Sequence, residues 1–402
     1  MAIEIRPPAE DELRAGMEAA ESAFGSSLEE VDWDRESVSL RPERAVVALD
    51  GARTVGLAGS YEFELTIPGG QLPCAGVTWV GVVPTHRRQG ILRGFMKQQL
   101  DVAREHGEAI AALWASEAPI YGRFGYGIAA PAARLTAESK RFSLRDDPGP
   151  QGSLRLVDAA EAYELARPVH ERLRPERPGM ITRSEHWWRN HRLADHESWR
   201  RGASQKFFAV LELDGTVEGY AVYRIKSKWE QGFPHGVVWV HEAFGTSPTA
   251  EREIWRYLFG IDLTEKVEAG PADPSTALFL MVRDPRALHL KVDDGLWLRL
   301  VDVEGALSAR SYRDGEPVVL DVRDELCPWN VGRYRVGETV ERTEDAPDVE
   351  LDVADLSSAF LGAFDLLRLA SADRARELTP GGLERASELF RTPLPPFCPE
   401  IF

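Results

Sequence analysis

The chain has 402 residues, with 65 acidic and 48 basic side chains and a formal net charge of −17 at pH 7. This length exceeds what one hydrophobic core usually supports, and a hydrophobic content of 43% is enough for several cores, so we expect two or three domains. The acidic balance disfavours nucleic acid and anionic membranes as partners and favours cationic ligands, although it also serves solubility alone.

The chain carries neither a signal peptide nor a membrane span that we recognise. Its first residues are acidic and interrupted by prolines, and no apolar run reaches the length of a bilayer, so we expect a cytoplasmic protein without membrane insertion. Cys74, Cys327 and Cys398 lie far apart and lack metal-ligand spacing. They are predicted to be small hydrophobic residues, not a disulfide or a zinc site.

Residues 45–115 carry the pattern of a mixed sheet. Residues 45–50 and 55–67 alternate like a hairpin, and residues 77–83 are predicted to form a buried strand. A helical period follows, with Ile91, Leu92, Phe95, Met96 and Leu100 on one face. Residues 109–115 are apolar enough for a parallel strand that splays from the strand over 77–83.

A basic loop closed by Gly90 lies between the strand over 77–83 and this helix. A helix N-terminus stabilises an anion through its free N–H groups, and a glycine lets the backbone approach phosphates closely. The loop therefore predicts a pyrophosphate site, with an ordinary basic helix start as the alternative. Its residues are Arg87, Arg88, Gln89, Gly90, Ile91, Leu92 and Arg93.

A second stretch, residues 236–259, repeats the pattern of residues 76–96. Val77, Trp79 and Val80 are matched by Val237, Trp239 and Val240, and a hairpin precedes both stretches. The loop over 245–252 has no paired arginines and no closing glycine, and it carries an acidic residue instead. We expect a second copy of the fold that has lost the anion site.

Three histidines at equal spacing could suggest a metal site, but their geometry on a helix does not favour one. His186, His191 and His196 are five residues apart, which on an α-helix rotates each by about 140°. The three cannot share a face, so no metal site is expected.

Residues 393–402 contain four prolines and two phenylalanines, the composition of a stiff apolar strap whose burial would carry the Phe402 α-carboxylate inward. That carboxylate is ionised at neutral pH and can accept a proton.

The strand, loop and helix over 77–100 resemble the acyl-CoA-binding motif of GNAT N-acetyltransferases, R/Q-x-x-G-x-G/A, with Ile or Leu in place of the last small residue. The run from Tyr121 to Tyr126 resembles their Tyr-x-x-x-Gly-Phe motif, with Tyr for Phe. Together with the terminal Phe402, the whole chain is similar to the Eis family of actinobacterial acetyltransferases.

The resemblance implies an α/β (α+β) fold of two tandem GNAT-like mixed-sheet domains followed by a sterol-carrier-like α+β domain. The expected ranges are 1–136 for the catalytic domain, 150–286 for the degenerate copy and 290–402 for the last domain. Residues 352–370 of the last domain are predicted to be helical, with Leu356, Phe360, Phe364 and Leu367 on one face. A lipid tunnel there is an analogy only, and a scaffold is the simpler expectation.

The resemblance also implies an acetyl-CoA-dependent N-acetyltransferase that acts on amines of cationic small molecules, aminoglycoside-like polyamines, or on lysine side chains. Acetyl-CoA is the co-substrate, no metal is needed, and a homohexamer is expected. The alternative is a non-catalytic acyl-CoA-binding or lipid-binding protein on the same fold.

The implied roles fall on a small set of residues. The Phe402 carboxylate is the general base and Tyr121 the general acid, with Tyr126 as the rival acid and core packing as the alternative role of both tyrosines. Trp33 and Glu400 are expected to contact the substrate, although Trp33 could be a packing residue, and Ile401 stands where many members have an acidic residue. The remaining cofactor contacts are Val80, Gly81 and Val82 on the strand, with Ser116 and Glu117 beyond the next one.

Overall fold

The structure, a computed structural model, describes residues 3–402. Its strands are β1 (Glu4–Arg6), β2 (Ala45–Asp50), β3 (Arg53–Ile67), β4 (Gly70–Val82), β5 (Ile110–Trp114), β6 (Gly127–Glu138), β7 (Ser153–Val157), β8 (Phe207–Leu213), β9 (Thr216–Lys226), β10 (Trp229–Glu230), β11 (Phe233–Pro234), β12 (Gly236–Gly245), β13 (Thr264–Ala272), β14 (Lys291–Leu300), β15 (Val318–Arg323), β16 (Gly332–Val336), β17 (Val340–Arg342), β18 (Val349–Asp352) and β19 (Ala375–Glu377).

The α-helices are α1 (Glu12–Ala23), α2 (Glu30–Ser39), α3 (Ile91–Glu105), α4 (Ala159–Leu173), α5 (Glu185–Trp187), α6 (Pro248–Phe259), α7 (Leu278–Met281), α8 (Val303–Ala309), α9 (Val353–Phe360), α10 (Leu366–Ser371) and α11 (Gly382–Phe390). No helix in the described range is long and apolar enough to cross a bilayer.

The chain divides into two compact units. The first holds the described residues up to 130 together with 296–396 and Phe402, and the second holds 131–295 and 397–401. Most of the predicted domains 1–136 and 290–402 therefore lie in the same compact unit. The boundaries of the three predicted domains stay predictions. Residues 1 and 2 of the first predicted domain lie outside the described range.

In the first unit, strands β1 to β5 lie in numerical order and are followed by β14. Strands β1 to β4 pair antiparallel, whereas β4 and β5 are parallel. The parallel register runs only from the pair Cys74 and Ile110 to the pair Gly76 and Ala112. Beyond Gly76, β4 continues to Val82 without pairing with β5, so a wedge opens between the two strands. Helix α3 connects them and buries Phe95, Met96 and Leu100.

The second unit repeats this order of elements. Strands β8 and β9 form a hairpin, β9 pairs with β12, helix α6 follows, and β13 returns parallel to β12. A register shift in β12 leaves His241 as an extra residue, and the parallel pairs end at Val240 and Ala269. The repeat predicted from the sequence is therefore a repeat of the fold.

The C-terminal part of the first unit has its own five-stranded sheet, in the order β17, β16, β15, β18, β19. The single helical pattern predicted over 352–370 is wrong, because two helices, α9 and α10, replace it. Gly362 between them has a φ of 89°, which ends α9, and the Asp365 side chain accepts a hydrogen bond from the backbone N–H of Arg368 (2.6 Å) to start α10. Leu367, expected on the apolar face, is 49% exposed.

The rings of His186 and His191 lie closer together than an α-helical rotation would place them. Helix α5 continues into a π-helical turn over 188–192, and the rings of His186 and His191 lie 5.9 Å apart. In a π turn the backbone bonds join residues i and i+5, so this spacing returns to the same face. His196 packs against Trp199 instead (5.7 Å). Within residues 3–402, no group of three or more His, Cys, Asp and Glu side chains is arranged to hold a metal ion.

A buried charge cluster holds residues 397–401 in the second unit. The fully buried Glu400 accepts hydrogen bonds from Arg183 and from the Trp187 indole N–H (3.1 Å). Arg183 also donates to Glu242, which accepts further hydrogen bonds from Arg192 and from the Tyr220 hydroxyl. Burial alone would raise the pKa of the Glu242 carboxyl, but the charges of Arg183 and Arg192 outweigh it and hold that pKa below its usual range.

Replacing Arg183 with Met should lower the melting temperature by about 10 °C. The substitution leaves two buried carboxylates short of a partner, and breaking a buried pair costs about 3–5 kcal/mol, or about 2–4 °C per kcal/mol at this size. Differential scanning fluorimetry at pH 7 measures the change. The control is Arg141→Met, which removes an exposed pair with Glu138 in the same unit and should stay near the parent.

The loss of melting temperature caused by Arg183→Met should depend on pH. Because the pKa of Glu242 is lowered from 4.5, its pairing stabilises the fold above that value, and the stabilisation is lost as the pH falls. The difference in melting temperature between the parent and Arg183→Met should therefore become smaller below about pH 4. A constant difference across this range, or equal shifts for Arg183→Met and Arg141→Met, would contradict the role given to the cluster.

Candidate active site

A β-bulge interrupts β4 inside the wedge. Leu57 of β3 pairs with Gly81 and Gly59 pairs with Thr78, so Trp79 and Val80 both stand opposite the single residue between them. Trp79 has a φ of 55°, a left-handed conformation that is uncommon for an aromatic residue. A bulge disrupts the ladder locally and re-aims the strand, and the stretch that follows, Val80 to Val82, lines a cavity.

The cavity has a volume of about 620 Å³ and belongs wholly to the first unit. It brings together the predicted cofactor-binding residues with the exception of Gln89, which is exposed and does not line it. Phe24, His86, Ile120 and Arg123 also line it, and no pattern in the sequence predicted a cavity role for them. The predicted residues in the lining are Val80, Gly81, Val82, Arg87, Arg88, Gly90, Ile91, Leu92, Arg93, Ser116, Glu117 and Tyr121.

The loop before α3 is shaped to leave room at the helix N-terminus. Gly90 is left-handed (φ 83°), and a Cβ built on it would meet nothing within 4 Å. The first hydrogen bond of the helix runs from Gly94 N–H to Gly90 C=O (3.1 Å), so the N–H groups that precede Gly94 have no partner within the helix. Open space before a positive helix end fits the phosphates of a nucleotide cofactor.

The two arginines of the loop differ in their roles. The Arg87 guanidinium donates to the carbonyl oxygens of Ala23 (2.8 Å) and Val82 (3.2 Å), which ties the loop to the end of α1 and the end of β4. Arg88 is left-handed, with a φ of 62°. Arg87 therefore holds the shape of the loop while adding positive charge to the cavity wall.

The two candidate tyrosines occupy different surroundings. Tyr121 lines the cavity, and burial raises the pKa of its hydroxyl above the ordinary value, so it is protonated at neutral pH. Tyr126 packs in the hydrophobic core beside Tyr121, with ring centroids 6.0 Å apart, and its hydroxyl has no hydrogen-bond partner within the described residues. Of the two hydroxyls, the one on Tyr121 is at the cavity.

Phe402 lies at the place where the wedge begins. Its ring packs edge-on against Phe63 with centroids 5.0 Å apart. A Cβ on Gly76 would overlap the Phe63 ring and come within 3.3 Å of the Phe402 ring, so this packing requires a glycine. Gly76 is also the last β4 residue paired with β5. The residue that carries the α-carboxylate thus packs beside the point where these strands part.

Neither of the two predicted substrate contacts, Trp33 and Glu400, lines the 620 Å³ cavity. Trp33 lies half-buried on α2 beneath the Arg14 guanidinium (5.3 Å) and does not line the 620 Å³ cavity. Glu400 is fully buried in the second unit with its carboxylate held by Arg183 and Trp187. Its carboxylate is therefore not free to meet a substrate amine, contrary to expectation.

Comparisons with known proteins agree with this architecture. Residues 4–129 and 179–300 each match an acetyltransferase (GNAT) domain family, and residues 303–399 match a sterol carrier protein domain family. An uncharacterized N-acetyltransferase of Streptomyces avermitilis is 39% identical over all of both chains. The N-acetyltransferase Eis of Mycobacterium tuberculosis is 32% identical over 98% of each chain. The crystal structure of Eis1 from Mycobacterium abscessus superposes with a TM-score of 0.86 at 33% identity, with all of both chains covered.

Two GNAT domains, the first with a cavity between splayed parallel strands, define the protein as a GNAT N-acetyltransferase. Within that class, the chain belongs to the Eis family. The predicted fold class, two GNAT-like domains and a sterol-carrier-like domain, is confirmed.

Gly90→Glu should raise the KM for acetyl-CoA far more than the KM for the amine. The new carboxylate would stand in the open space before α3 and repel phosphates. Gly107→Glu is a matched control, because Gly107 follows the other end of α3, is also left-handed (φ 73°) and also faces open space. Steady-state kinetics measures both variants, and equal effects of Gly90→Glu on the two substrates would contradict the phosphate site.

Proposed function

We propose that the protein transfers the acetyl group of acetyl-CoA directly to a primary amine of a cationic substrate. The observation that carries the proposal is the convergence of three features at one wedge of the first unit. These are the β4 backbone from Val80 to Val82, the Tyr121 hydroxyl, and Phe402 packed beside Gly76.

The cavity fits acetyl-CoA by its donor groups. The N-terminus of α3 and the basic loop would hold the pyrophosphate, and the edge of β4 that does not pair with β5 would bind the pantetheine amides. Ser116 and Glu117 would line the far wall. Acetyl-CoA supplies the thioester whose acetyl group is transferred. A backbone N–H after the bulge would stabilise the negative charge that develops on the carbonyl oxygen.

The chain's own groups account for the proton transfers. The α-carboxylate of Phe402 would take a proton from the substrate ammonium, which frees the nitrogen lone pair to form the C–N bond. As the C–S bond breaks, Tyr121 would give its hydroxyl proton to the departing sulfur, a role supported by the raised pKa that keeps the hydroxyl protonated. The second proton that the nitrogen loses on becoming an amide would restore the Tyr121 hydroxyl. No metal ion is required in this scheme.

The substrate class rests on charge and on the family resemblance. A net charge of −17 attracts cations, and the resemblance implies aminoglycoside-like polyamines or lysine side chains. Trp33 remains a proposed contact on α2. The resemblance also implies a cytoplasmic homohexamer, and domains over 1–136, 150–286 and 290–402 form part of the same proposal.

The second GNAT domain is proposed to bind no CoA. The N-terminus of α6 is already capped, because the Ser247 hydroxyl accepts a hydrogen bond from the Ala250 N–H (3.2 Å). A Cβ on Gly245 would overlap the backbone of Ala250 and Glu251, so the loop leaves little room for an anion. Calorimetry on Gly90→Glu should therefore detect no stoichiometric binding of acetyl-CoA, whereas residual binding at one site would show a competent second copy.

Adding one glycine after Phe402 should lower kcat by about 10² to 10⁴, the usual effect of losing a positioned acid or base. The extra residue moves the carboxylate by about 3.5 Å, while acetyl-CoA binding should persist. Phe402→Leu keeps the carboxylate and an apolar side chain and serves as the matched control, with a much smaller loss. Release of free thiol from acetyl-CoA measures the rate. Turnover of the extended protein within about threefold of the parent would mean that the carboxylate is not the base.

Tyr121→Phe and Tyr126→Phe separate the two tyrosines. Loss of the Tyr121 hydroxyl should lower kcat by about 10² or more. Loss of the Tyr126 hydroxyl should leave kcat near the parent, because that group is buried away from the cavity. Rates measured from pH 6 to 10 with saturating acetyl-CoA test both expectations.

The alternative function is a non-catalytic acyl-CoA-binding protein. It is favoured if the parent protein binds acetyl-CoA but releases no free thiol from it with any amine tested.

A further inference from the structure

The bulge at Trp79 needs a group that holds it. A left-handed φ is unfavourable for a residue with a Cβ, and such conformations persist where the surrounding structure determines them. The strand itself offers little support, because the bulge interrupts its pairing with β3 and the pairing with β5 has already ended at Gly76. The support must therefore come from side chains.

A relay of hydrogen bonds, buried at its centre, reaches Trp79 from helix α2. The Trp79 indole N–H donates to the Tyr61 hydroxyl (3.1 Å), and the Tyr61 hydroxyl donates to one carboxylate oxygen of Glu36. The other oxygen of Glu36 accepts from Arg35 Nε (2.7 Å). Tyr61 and Glu36 are buried, on β3 and α2 respectively.

The direction of the relay is set by protonation. Burial raises the pKa of the Tyr61 hydroxyl, and the negative charge of Glu36 raises it further, so Tyr61 stays protonated and acts as the donor to Glu36. Its lone pairs remain available to accept from the Trp79 indole. A buried hydroxyl engaged on both sides is costly to displace, which suits it to hold a strained neighbour.

We propose that Tyr61 and Glu36 are positioning residues for acetyl transfer. They fix the indole of Trp79, and through it the bulge that presents the Val80 to Val82 backbone to the thioester. The inference deepens the proposed function and rests on it for its kinetic consequence. Tyr61 and Glu36 do not line the 620 Å³ cavity, so they act through Trp79.

Tyr61→Phe tests the relay with the smallest change. It removes one hydroxyl and leaves the ring, so kcat should fall about tenfold while the KM for acetyl-CoA stays within about twofold, because the phosphate site is intact. The pH profile should keep its shape, since the base and acid are untouched. Tyr334→Phe is the control, because it also removes a buried hydroxyl, bonded to the Asn330 carbonyl (2.8 Å), and it should leave kcat at the parental value.

Two further variants locate the effect in the relay. Trp79→Phe removes the indole donor and should lower kcat to the same extent, and the double variant with Tyr61→Phe should be no slower than either single one. Glu36→Gln keeps an acceptor for Tyr61 and should retain more activity than Glu36→Leu. Additive losses in the double variant would overturn the proposal.

A crystal structure of Tyr61→Phe supplies a readout that does not depend on turnover. We expect Trp79 to leave the left-handed region and the Val80 backbone to turn. An unchanged bulge would overturn the relay even if kcat fell. If the parent shows no amine-dependent thiol release, the proposed function fails, and the crystal structure alone still decides whether Tyr61 fixes the bulge. Should Tyr61→Phe not fold, Trp79→Phe breaks the same hydrogen bond from the other side.

Discussion

The first unit depends on the early end of the pairing between β4 and β5. Three residue pairs join the strands, and the last of them includes Gly76. Buried backbone groups left without a partner are costly, so an unpaired strand edge is stable only where a solvent-filled or ligand-filled space adjoins it. The cavity, the bulge at Trp79 and the packing of Phe402 over Gly76 all lie along the stretch where that condition holds.

The two GNAT domains use the same topology for different ends. In the first, the backbone after the bulge opens onto a cavity with a basic loop beyond it. In the second, the residue after the bulge at His241 is Glu242, which is buried and neutralised by Arg183 and Arg192. The corresponding stretch therefore lines a cavity in one copy and takes part in internal charge pairing in the other.

Local patterns in the sequence predicted the hairpin, the strand over 77–83, the basic loop and helix α3, because each depends on neighbouring residues. They missed features that depend on distant partners. Glu36 meets Tyr61 across 25 positions and Arg183 meets Glu400 across 217, and neither pair leaves a periodic signal. The π turn after α5 was also not predicted, because the histidine spacing was interpreted with α-helical geometry. The expected role of Tyr121 came from family resemblance, whereas that of Phe402 came both from the composition of residues 393–402 and from the resemblance.

The anchoring of Glu400 by Arg183 also constrains how the protein is made. At a synthesis rate of about 5–20 residues per second, a ribosome needs on the order of 10–40 s to add the 217 residues that separate the two. Once Glu242 has been added, 59 residues after Arg183, the nascent second unit must carry both residues without Glu400, in a core that excludes water. The unit therefore reaches its final charge balance only late in translation, and until then it is exposed to chaperones and proteases in an incomplete state.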